Sequence, residues 1–193
     1  MKLPQKIEAE RIILKGLNKP SFRLATALYA AVDSSRTSLR EWLPWPDKMH
    51  APEDEYAYLV NWAHAHWKEG TGFAYLIQPK KQNIILGCID ILKISDTHKS
   101  GEIGYWLVDT AAGHGYMQEA VRALESAAFT AGLNRIIIRN DTHNQRSINV
   151  TKRTGYTLEG IMRQDAWDDF HKCMRDTNLW SKLKAEWEKQ NTR

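Results

Sequence analysis

The alternation of apolar and polar residues predicts short strands and helices along the whole chain. Runs of β-branched and aromatic residues at 102–108 and 135–139 are typical of strands, whereas apolar residues three or four apart after Tyr116 are typical of a helix. The same reasoning predicts strands at 11–15, 73–78, 84–94, 157–163 and 178–182, helices at 21–32, 54–68 and 147–154, and an amphipathic tail. Strands followed by alternating strands and helices predict a mixed α+β (α/β) sheet with helices on both faces.

The loop between strand 102–108 and the next helix carries two glycines, Gly113 and Gly115. Glycine lets the backbone approach a ligand closely, and the first turn of a helix offers unpaired N–H groups and the positive end of a dipole. Together these features suit the binding of pyrophosphate. On its own the pattern more often marks a tight turn, and it matches neither the Gly-Lys-Ser/Thr nucleotide loop nor the three-glycine dinucleotide pattern.

A second motif changes that interpretation. Residues 144–156 read NQRSINVTKRTGY, which predicts a helix closed by Gly155 beyond one further strand. The glycine loop and this segment together resemble the GNAT acetyltransferase superfamily. In that superfamily the loop binds the pyrophosphate of coenzyme A, and a helix that begins with asparagine flanks the pantetheine arm.

Further motifs resemble the RimJ/RimL branch of the superfamily. They are EIGYWL at 102–107, GYMQEAV at 115–121, LEG at 158–160, RIIL at 11–14 and LREWLPWPD at 39–47. The branch acetylates protein N-termini, especially those of ribosomal proteins, and sometimes small amines. The resemblance implies acetyl-coenzyme A as acetyl donor, no metal, and one GNAT domain over residues 1–193. It implies a mixed, mostly antiparallel sheet with splayed central strands, and it is compatible with a homodimer.

The resemblance also implies which residues hold coenzyme A. They lie at the end of the strand, in the glycine loop and at the start of the later helix: Leu107, Val108, Gly113, His114, Gly115, Tyr116, Met117 and Asn144. Two positions depart from the family pattern, because Ala112 replaces the usual Gln or Arg and Met117 replaces a Gly or Ala. The loop should still bind phosphate, since backbone N–H groups rather than side chains make the contact.

Acetyl transfer to an amine requires a base, a stabilised carbonyl oxygen and a donor for the leaving thiolate, but no covalent nucleophile. The family's usual tyrosine donor is Thr151 here. Ser147 lies three residues after Asn144 on the same helix face, so it either serves the thiolate or caps the helix. Asn144 either contacts pantetheine or caps the same helix. Glu102 is the first candidate base, followed by Asp165.

Several further residues have two open interpretations. Asp168, on the other side of Ala166 from Asp165, is a weaker candidate base. Three tryptophans, Trp42, Trp45 and Trp167, could form aromatic walls of the acceptor pocket or pack in the core. His64 and His66 point to different sides of a helix, which argues against a shared metal.

Composition narrows the functional class. The chain has 193 residues, 42% of them apolar, and a net charge of +4 with basic and acidic residues interspersed. This pattern fits one globular domain and argues against direct nucleic-acid binding. No apolar run is long enough for a membrane span, there is no signal-peptide pattern, and two cysteines make no disulfide framework, so we expect the cytoplasm.

The acceptor amine remains open at the level of sequence. The resemblance favours the α-amine of a ribosomal protein N-terminus. The alternatives are a small amine, such as an antibiotic, an aminoacyl-nucleotide or a polyamine, and a non-catalytic acyl-coenzyme A-binding module, which Ala112 and Thr151 suggest.

Overall fold

In the computed structural model, which describes residues 1–191, the chain forms one eight-stranded mixed sheet. Residues 192 and 193 of the predicted domain lie outside this described part. The strands are β1 Lys6–Glu8, β2 Ile12–Gly16, β3 Phe73–Pro79, β4 Gly87–Ser95, β5 Ser100–Leu107, β6 Arg135–Asp141, β7 Thr157–Asp168 and β8 Cys173–Leu183. They are arranged in the order β1-β2-β3-β4-β5-β6-β8-β7, and the pairs are antiparallel except for β5 and β6.

The two parallel strands separate after a short contact. Ser100, Gly101 and Glu102 pair with residues 135–137, and the pairing then stops although β5 continues to Leu107 and β6 to Asp141. The centre of the sheet is therefore open on one side. The predicted splay of the central strands is confirmed.

Helices cover both faces of the sheet, as predicted. They are α1 Phe22–Asp33, α2 Arg36–Leu39, α3 Pro52–Tyr58, α4 Ala65–Glu69, α5 Tyr116–Thr130, α6 Gln145–Arg153 and α7 Lys184–Asn191. The predicted helix at 54–68 is a continuous helical path, but its middle, Leu59–His64, is a π-helix between α3 and α4.

Alternation along β3 divides the apolar core into two layers. Tyr75 and Ile77 pack in the layer that contains Leu124 of α5, whereas Leu76 packs with Leu28 of α1. Because successive strand residues point to opposite faces, one sheet supports both helical layers. Because α5 packs on the sheet in this way, the loop that precedes it lies where β5 and β6 separate.

The strand limits at the two sheet edges differ from prediction. β7 and β8 pair with each other well beyond the predicted limits, through Asp168 and Cys173. Most side chains of this extension are exposed, so it lacks the apolar alternation that identifies a strand in sequence. β1 has only three residues and was missed for the same reason.

Candidate active site

A cleft of 1140 Å³ lies where β5 and β6 separate. Its walls come from β5, the glycine loop, α6, the segment after α2 and the β7–β8 hairpin. Most of the predicted site residues line it: Glu102, Leu107, Gly113, Gly115, Tyr116, Met117, Asn144, Ser147, Asp165, Trp42 and Trp167. The structure thus brings together residues that are far apart in sequence.

The glycine loop has the backbone geometry that the sequence suggests. Gly113 and Gly115 have φ angles of +81° and +79°, in the region that other residues rarely adopt, and Gly115 is the N-cap of α5. Within residues 1–191, the N–H groups of residues 113–118 donate to no protein acceptor. They are available to an anion at a helix N-terminus, which fits the pyrophosphate of coenzyme A. The Met117 side chain is buried in the core, so Met117 can contribute only its backbone.

Arg11, the residue immediately before β2, supports this loop, and sequence reasoning missed it. Its Nη1 donates to the His114 carbonyl oxygen at 3.0 Å, and its Nε contacts Glu119 Oε2 at 2.9 Å. The guanidinium lies 4.9 Å from the centroid of the Tyr116 ring. Arg11 thereby places a cation beside a loop that has only alanine at position 112. No local motif could reveal the contact, because the partners are distant in sequence.

Two predicted cofactor residues lie off the cleft wall. The Val108 side chain is buried in the core, and its N–H donates to the Leu86 carbonyl oxygen at 2.9 Å. His114 is exposed, its Nδ1 lies 2.9 Å from the Ala112 carbonyl oxygen, and its ring stacks on Tyr116. Any contact of these two residues with coenzyme A stays a prediction.

The sequence left open whether Asn144 or Ser147 caps α6, and the structure assigns the cap to Asn144. The Asn144 side-chain oxygen accepts a hydrogen bond from the Ser147 N–H at 3.0 Å, so Asn144 is the cap of α6. The Ser147 hydroxyl is therefore not needed as a cap. It lies 2.8 Å from the Tyr105 hydroxyl and accepts a hydrogen bond from the Asn140 amide at 3.2 Å.

Tyr105 is a cleft residue that the sequence reasoning did not single out. Burial raises the pKa of Tyr105 well above its ordinary value, although the hydrogen bond with Ser147 opposes that rise. The phenol therefore stays protonated at neutral pH and can donate. Alternation of side chains along β5 could have identified Tyr105 from the sequence, because it places Tyr105 on the opposite face from Glu102, toward the helix that carries Ser147.

Both oxygens of Glu102 are occupied by cations. Oε1 accepts from Arg139 Nε and Oε2 from Lys93 Nζ, each at 2.9 Å. Arg139 also lies 3.7 Å from Asp165 Oδ2, so it links the two predicted bases. Glu102 is thus a cleft carboxylate whose charge is balanced by neighbouring side chains.

Asp90 is a further carboxyl group beside Glu102. It pairs with Gly104 across the β4–β5 ladder, and the Gly104 N–H donates to Asp90 Oδ1 at 3.1 Å. Removal from water raises the pKa of Asp90 to about 7; Glu102 adds to the rise and the Gly104 hydrogen bond opposes it. Asp90 does not itself line the cleft, but a pKa near neutrality suits a general base, so it is a candidate beside the cleft that sequence reasoning missed.

Asp168 is held in an ion-pair network instead. Its side chain is buried and contacts both Arg175 and His171, the latter at 2.6 Å. Burial alone raises the pKa of Asp168, but hydrogen bonds from His171, Arg175 and Phe170 outweigh it and hold the pKa below its ordinary range. Asp168 is thus a fixed anion that anchors Arg175.

Arg175 connects the hairpin to the segment after α2. It donates to the Glu41 carbonyl oxygen at 2.6 Å, and its guanidinium lies 5.4 Å from the Trp42 ring. Trp167 lines the cleft with 54% of its surface exposed. Trp45 does not line the cleft, and it packs edge-on against Trp106, which does.

The described residues contain no group of three or more His, Cys, Asp or Glu side chains suited to a metal ion. Nor does any helix in residues 1–191 combine the length and apolarity needed to cross a bilayer.

Comparison with known proteins agrees with this geometry. A family model described as an acetyltransferase (GNAT) domain matches residues 11–157. The ribosomal-protein-serine acetyltransferase of Escherichia coli (strain K12) is 30% identical over 148 residues, covering 74% of this chain and 81% of that protein.

Solved structures show the same fold. The ribosomal L7/L12 α-N-protein acetyltransferase RimL in complex with coenzyme A matches with a TM-score of 0.84 and 26% identity, over 92% of this chain and 97% of that chain. The microcin C7 self-immunity acetyltransferase MccE, in complex with acetyl-coenzyme A and AMP, matches with a TM-score of 0.82, over 90% and 93% of the two chains, but at only 22% identity. The chain belongs to the GNAT acetyltransferase family, among relatives of the RimL and RimJ type, and is an N-acetyltransferase that uses acetyl-coenzyme A.

Proposed function

We propose that this enzyme acetylates the α-amine at the N-terminus of a protein, and specifically of a ribosomal protein. The E. coli relative is named a ribosomal-protein-serine acetyltransferase, and the RimL structure a ribosomal L7/L12 α-N-protein acetyltransferase. The observation in this chain that supports it best is the shape of the cleft at the acceptor end. There the cleft opens onto an exposed apolar rim rather than closing around a small ligand.

The rim is formed by the tip of the β7–β8 hairpin. Trp167 and Phe170 line the cleft there, Met174 lies nearby on β8, and each of the three is at least 44% exposed. Exposed apolar patches with polar neighbours mark surfaces that bind other macromolecules. A polypeptide could place its N-terminal amine inside the cleft while its following residues lie along this rim.

The acceptor amine must lose a proton before it attacks. We assign this task to Glu102, acting through water, with Asp90 as the neighbouring carboxyl that can hold the proton. Paired residues of antiparallel strands share a face, as do alternate residues of one strand, so Asp90, Gly104 and Glu102 all lie on the acceptor face. The positive charges of Arg139 and Lys93 balance Glu102 when the cationic acceptor is absent.

The leaving sulfur needs a hydrogen-bond donor. When bound, acetyl-coenzyme A supplies the acetyl group, and its pyrophosphate would be held by the free N–H groups of residues 113–118. Ser147, backed by the neutral Tyr105 phenol at 2.8 Å, would donate toward the sulfur. Arg11 thus supplies the cation beside the phosphate loop that Ala112 cannot supply, and Tyr105 supplies the phenol that is missing at Thr151. Both features argue against a non-catalytic module.

A small amine is the second candidate acceptor. It is favoured by the similarity to MccE, whose structure holds AMP beside acetyl-coenzyme A. At 22% identity this match shows the fold alone, and the open apolar rim favours the polypeptide.

The test compares ribosomal proteins by intact mass, from cells with and without this enzyme. We expect one ribosomal protein to lose the mass of a single acetyl group at its N-terminus when the enzyme is absent. A peptide with that N-terminal sequence should be acetylated in vitro, and the same peptide with a blocked N-terminus but a free lysine should not. Turnover of small amines with no change in any ribosomal protein would support the second candidate.

A further inference from the structure

We propose that Trp180, acting through Asn140, fixes the direction of the hydrogen bond at Ser147, so that the Ser147 hydroxyl hydrogen is directed into the cleft. This inference rests on the proposed role of Ser147 toward the leaving sulfur. It assigns Trp180, which lies off the cleft wall, and Asn140, which lies on it, as positioning residues that act through Ser147.

The Trp180 indole determines which way the Asn140 amide faces. Its Nε1 lies 3.2 Å from the Asn140 side-chain oxygen, and the Asn178 amide nitrogen lies 3.1 Å from the same oxygen. An indole N–H can only donate. The Asn140 atom that faces Trp180 must therefore be the oxygen, because its amide nitrogen would present a second donor to the indole.

The orientation of Asn140 then determines what Ser147 can do. With its oxygen toward Trp180, Asn140 directs its amide nitrogen to Ser147 Oγ at 3.2 Å, and that nitrogen can only donate. Ser147 must accept this hydrogen bond. Its own single hydrogen is thereby left for the cleft or for Tyr105.

Tyr105 completes the arrangement. Its hydroxyl lies 2.8 Å from Ser147 Oγ, compared with 3.4 Å from the Ser147 carbonyl oxygen. At the shorter contact the phenol can donate to Oγ, because a hydroxyl oxygen accepts two hydrogen bonds. Ser147 Oγ then accepts from both Asn140 and Tyr105, and its hydrogen is free to point toward the leaving sulfur.

Trp180 is the one residue of this hydrogen-bonded series whose donor cannot become an acceptor. Asn140 and Asn178 could both flip their amides and still bond to each other, which would turn an acceptor toward Ser147. All three side chains are buried, so water cannot substitute for the indole donor. Trp180 thus selects between the two amide arrangements.

Two variants test this proposal. In N140D, a carboxylate of the same shape keeps acceptors for Trp180 and Asn178 but turns an acceptor toward Ser147. In W180F, the indole donor is lost and both amides are free to flip. W67F serves as the control, since Trp67 packs against Phe73 and Tyr75 of β3, which β4, β5 and β6 separate from the β8 strand of Trp180.

The main readout is the pKa of the thiol of bound coenzyme A, followed by the ultraviolet absorbance of the thiolate. A hydrogen bond to a charged group is strong enough to lower a pKa by about one unit. We expect the wild type and W67F to hold this pKa below that of free coenzyme A. N140D and W180F should raise it toward the value in S147A and lower kcat by about threefold to tenfold. Calorimetric affinity for coenzyme A should change by less than about twofold, because the backbone of the loop binds the pyrophosphate.

The result that overturns the inference is a bound-thiol pKa in N140D or in W180F equal to that of the wild type, while S147A shifts it. If S147A itself leaves both the thiol pKa and kcat unchanged, the proposed role of Ser147 fails, and the inference falls with it. An unaltered acceptor preference in peptide assays would show that the proposed function stands independently. If W180F does not fold, the double variant S147A/N140D decides: an effect of N140D that acts through Ser147 disappears in it, whereas repulsion of the thiolate by the new carboxylate persists and overturns the inference.

Discussion

Replacement of Arg11 by glutamine should weaken the binding of acetyl-coenzyme A without slowing acetyl transfer. Arg11 is outside the cleft wall, so the substitution acts through the loop. It removes the hydrogen bond to the His114 carbonyl oxygen, the ion pair with Glu119 and the contact over the Tyr116 ring. It also leaves the Glu119 carboxylate, only 13% exposed, without its cation in the first turn of α5.

The magnitude follows from these contacts. A half-exposed ion pair contributes about 0.5 kcal/mol, a hydrogen bond about 1 kcal/mol, and an exposed cation–π contact about 0.5 kcal/mol. Their sum of about 2 kcal/mol corresponds to roughly a thirtyfold change if all of it orders the loop. Because loops relax in part, we expect KM for acetyl-coenzyme A to rise about tenfold, with kcat changed by less than about twofold.

The assay compares two acyl donors. The KM defect of R11Q should appear with acetyl-coenzyme A and be absent with acetyl-pantetheine, which has no pyrophosphate. Adding E119Q should restore part of the affinity, because the uncompensated charge that repels phosphate is then removed. An equal KM defect with both donors would refute the reasoning, since it would mean that Arg11 supports the fold and not the phosphate loop.

Three further predictions concern the loop and the buried carboxyl groups. G115V should abolish measurable coenzyme A binding in calorimetry while thermal unfolding stays cooperative, because φ of +79° strains a β-branched residue; unchanged affinity would place the phosphate site elsewhere. Burial raises the pKa of Glu55 from its ordinary value of 4.5 to about 7, so the folded state loses stability as the pH rises between these values, where the unfolded carboxyl releases its proton and the buried one does not. The gain in Tm of E55Q over wild type should therefore grow from pH 4 to pH 8, whereas the exposed E53Q shows no such trend; a constant gain would contradict this. E102Q should lower kcat/KM mainly at low pH, where free amine is scarce, and a pH-independent defect in a rate profile would transfer the base to Asp90 or Asp165.

The local features of the site were predictable from sequence. Gly113 and Gly115 were identified because a positive φ before a helix leaves a residue-type signature at that point of the chain. The start of α5 followed from a similar short-range signal, whereas the choice of Asn144 over Ser147 as the cap of α6 came from the structure. The splay of β5 from β6 followed from the family resemblance, and its register confirms it.

Long-range contacts were not predictable, for a physical reason. Arg11 meets Glu119 and Tyr105 meets Ser147 only because the sheet order brings separate elements together. Nothing at position 11 distinguishes this residue locally from an ordinary surface arginine, and alternation along β5 gives the face of Tyr105 but not its partner Ser147. The pKa of Asp90 likewise depends on burial under neighbouring elements, which one strand of sequence does not encode.

In the exposed β7–β8 hairpin, the strands predicted from sequence were too short. Its residues are polar or exposed on both faces, so strand periodicity ends near residue 163 although the pairing of β7 with β8 continues to Asp168. Pairing between two strands of one hairpin does not require a buried face. The sequence named Trp167 as a candidate wall of the acceptor pocket, but its place in an exposed rim with Phe170 and Met174 emerged only from the structure.

The most direct test of the central claim is the intact mass of ribosomal proteins from cells with and without this enzyme. The account predicts that one protein loses a single acetyl group, located at its N-terminal amine, in the absence of the enzyme, and regains it on incubation with enzyme and acetyl-coenzyme A. Identical masses for every ribosomal protein, together with acetylation of small amines by the purified enzyme, would contradict it.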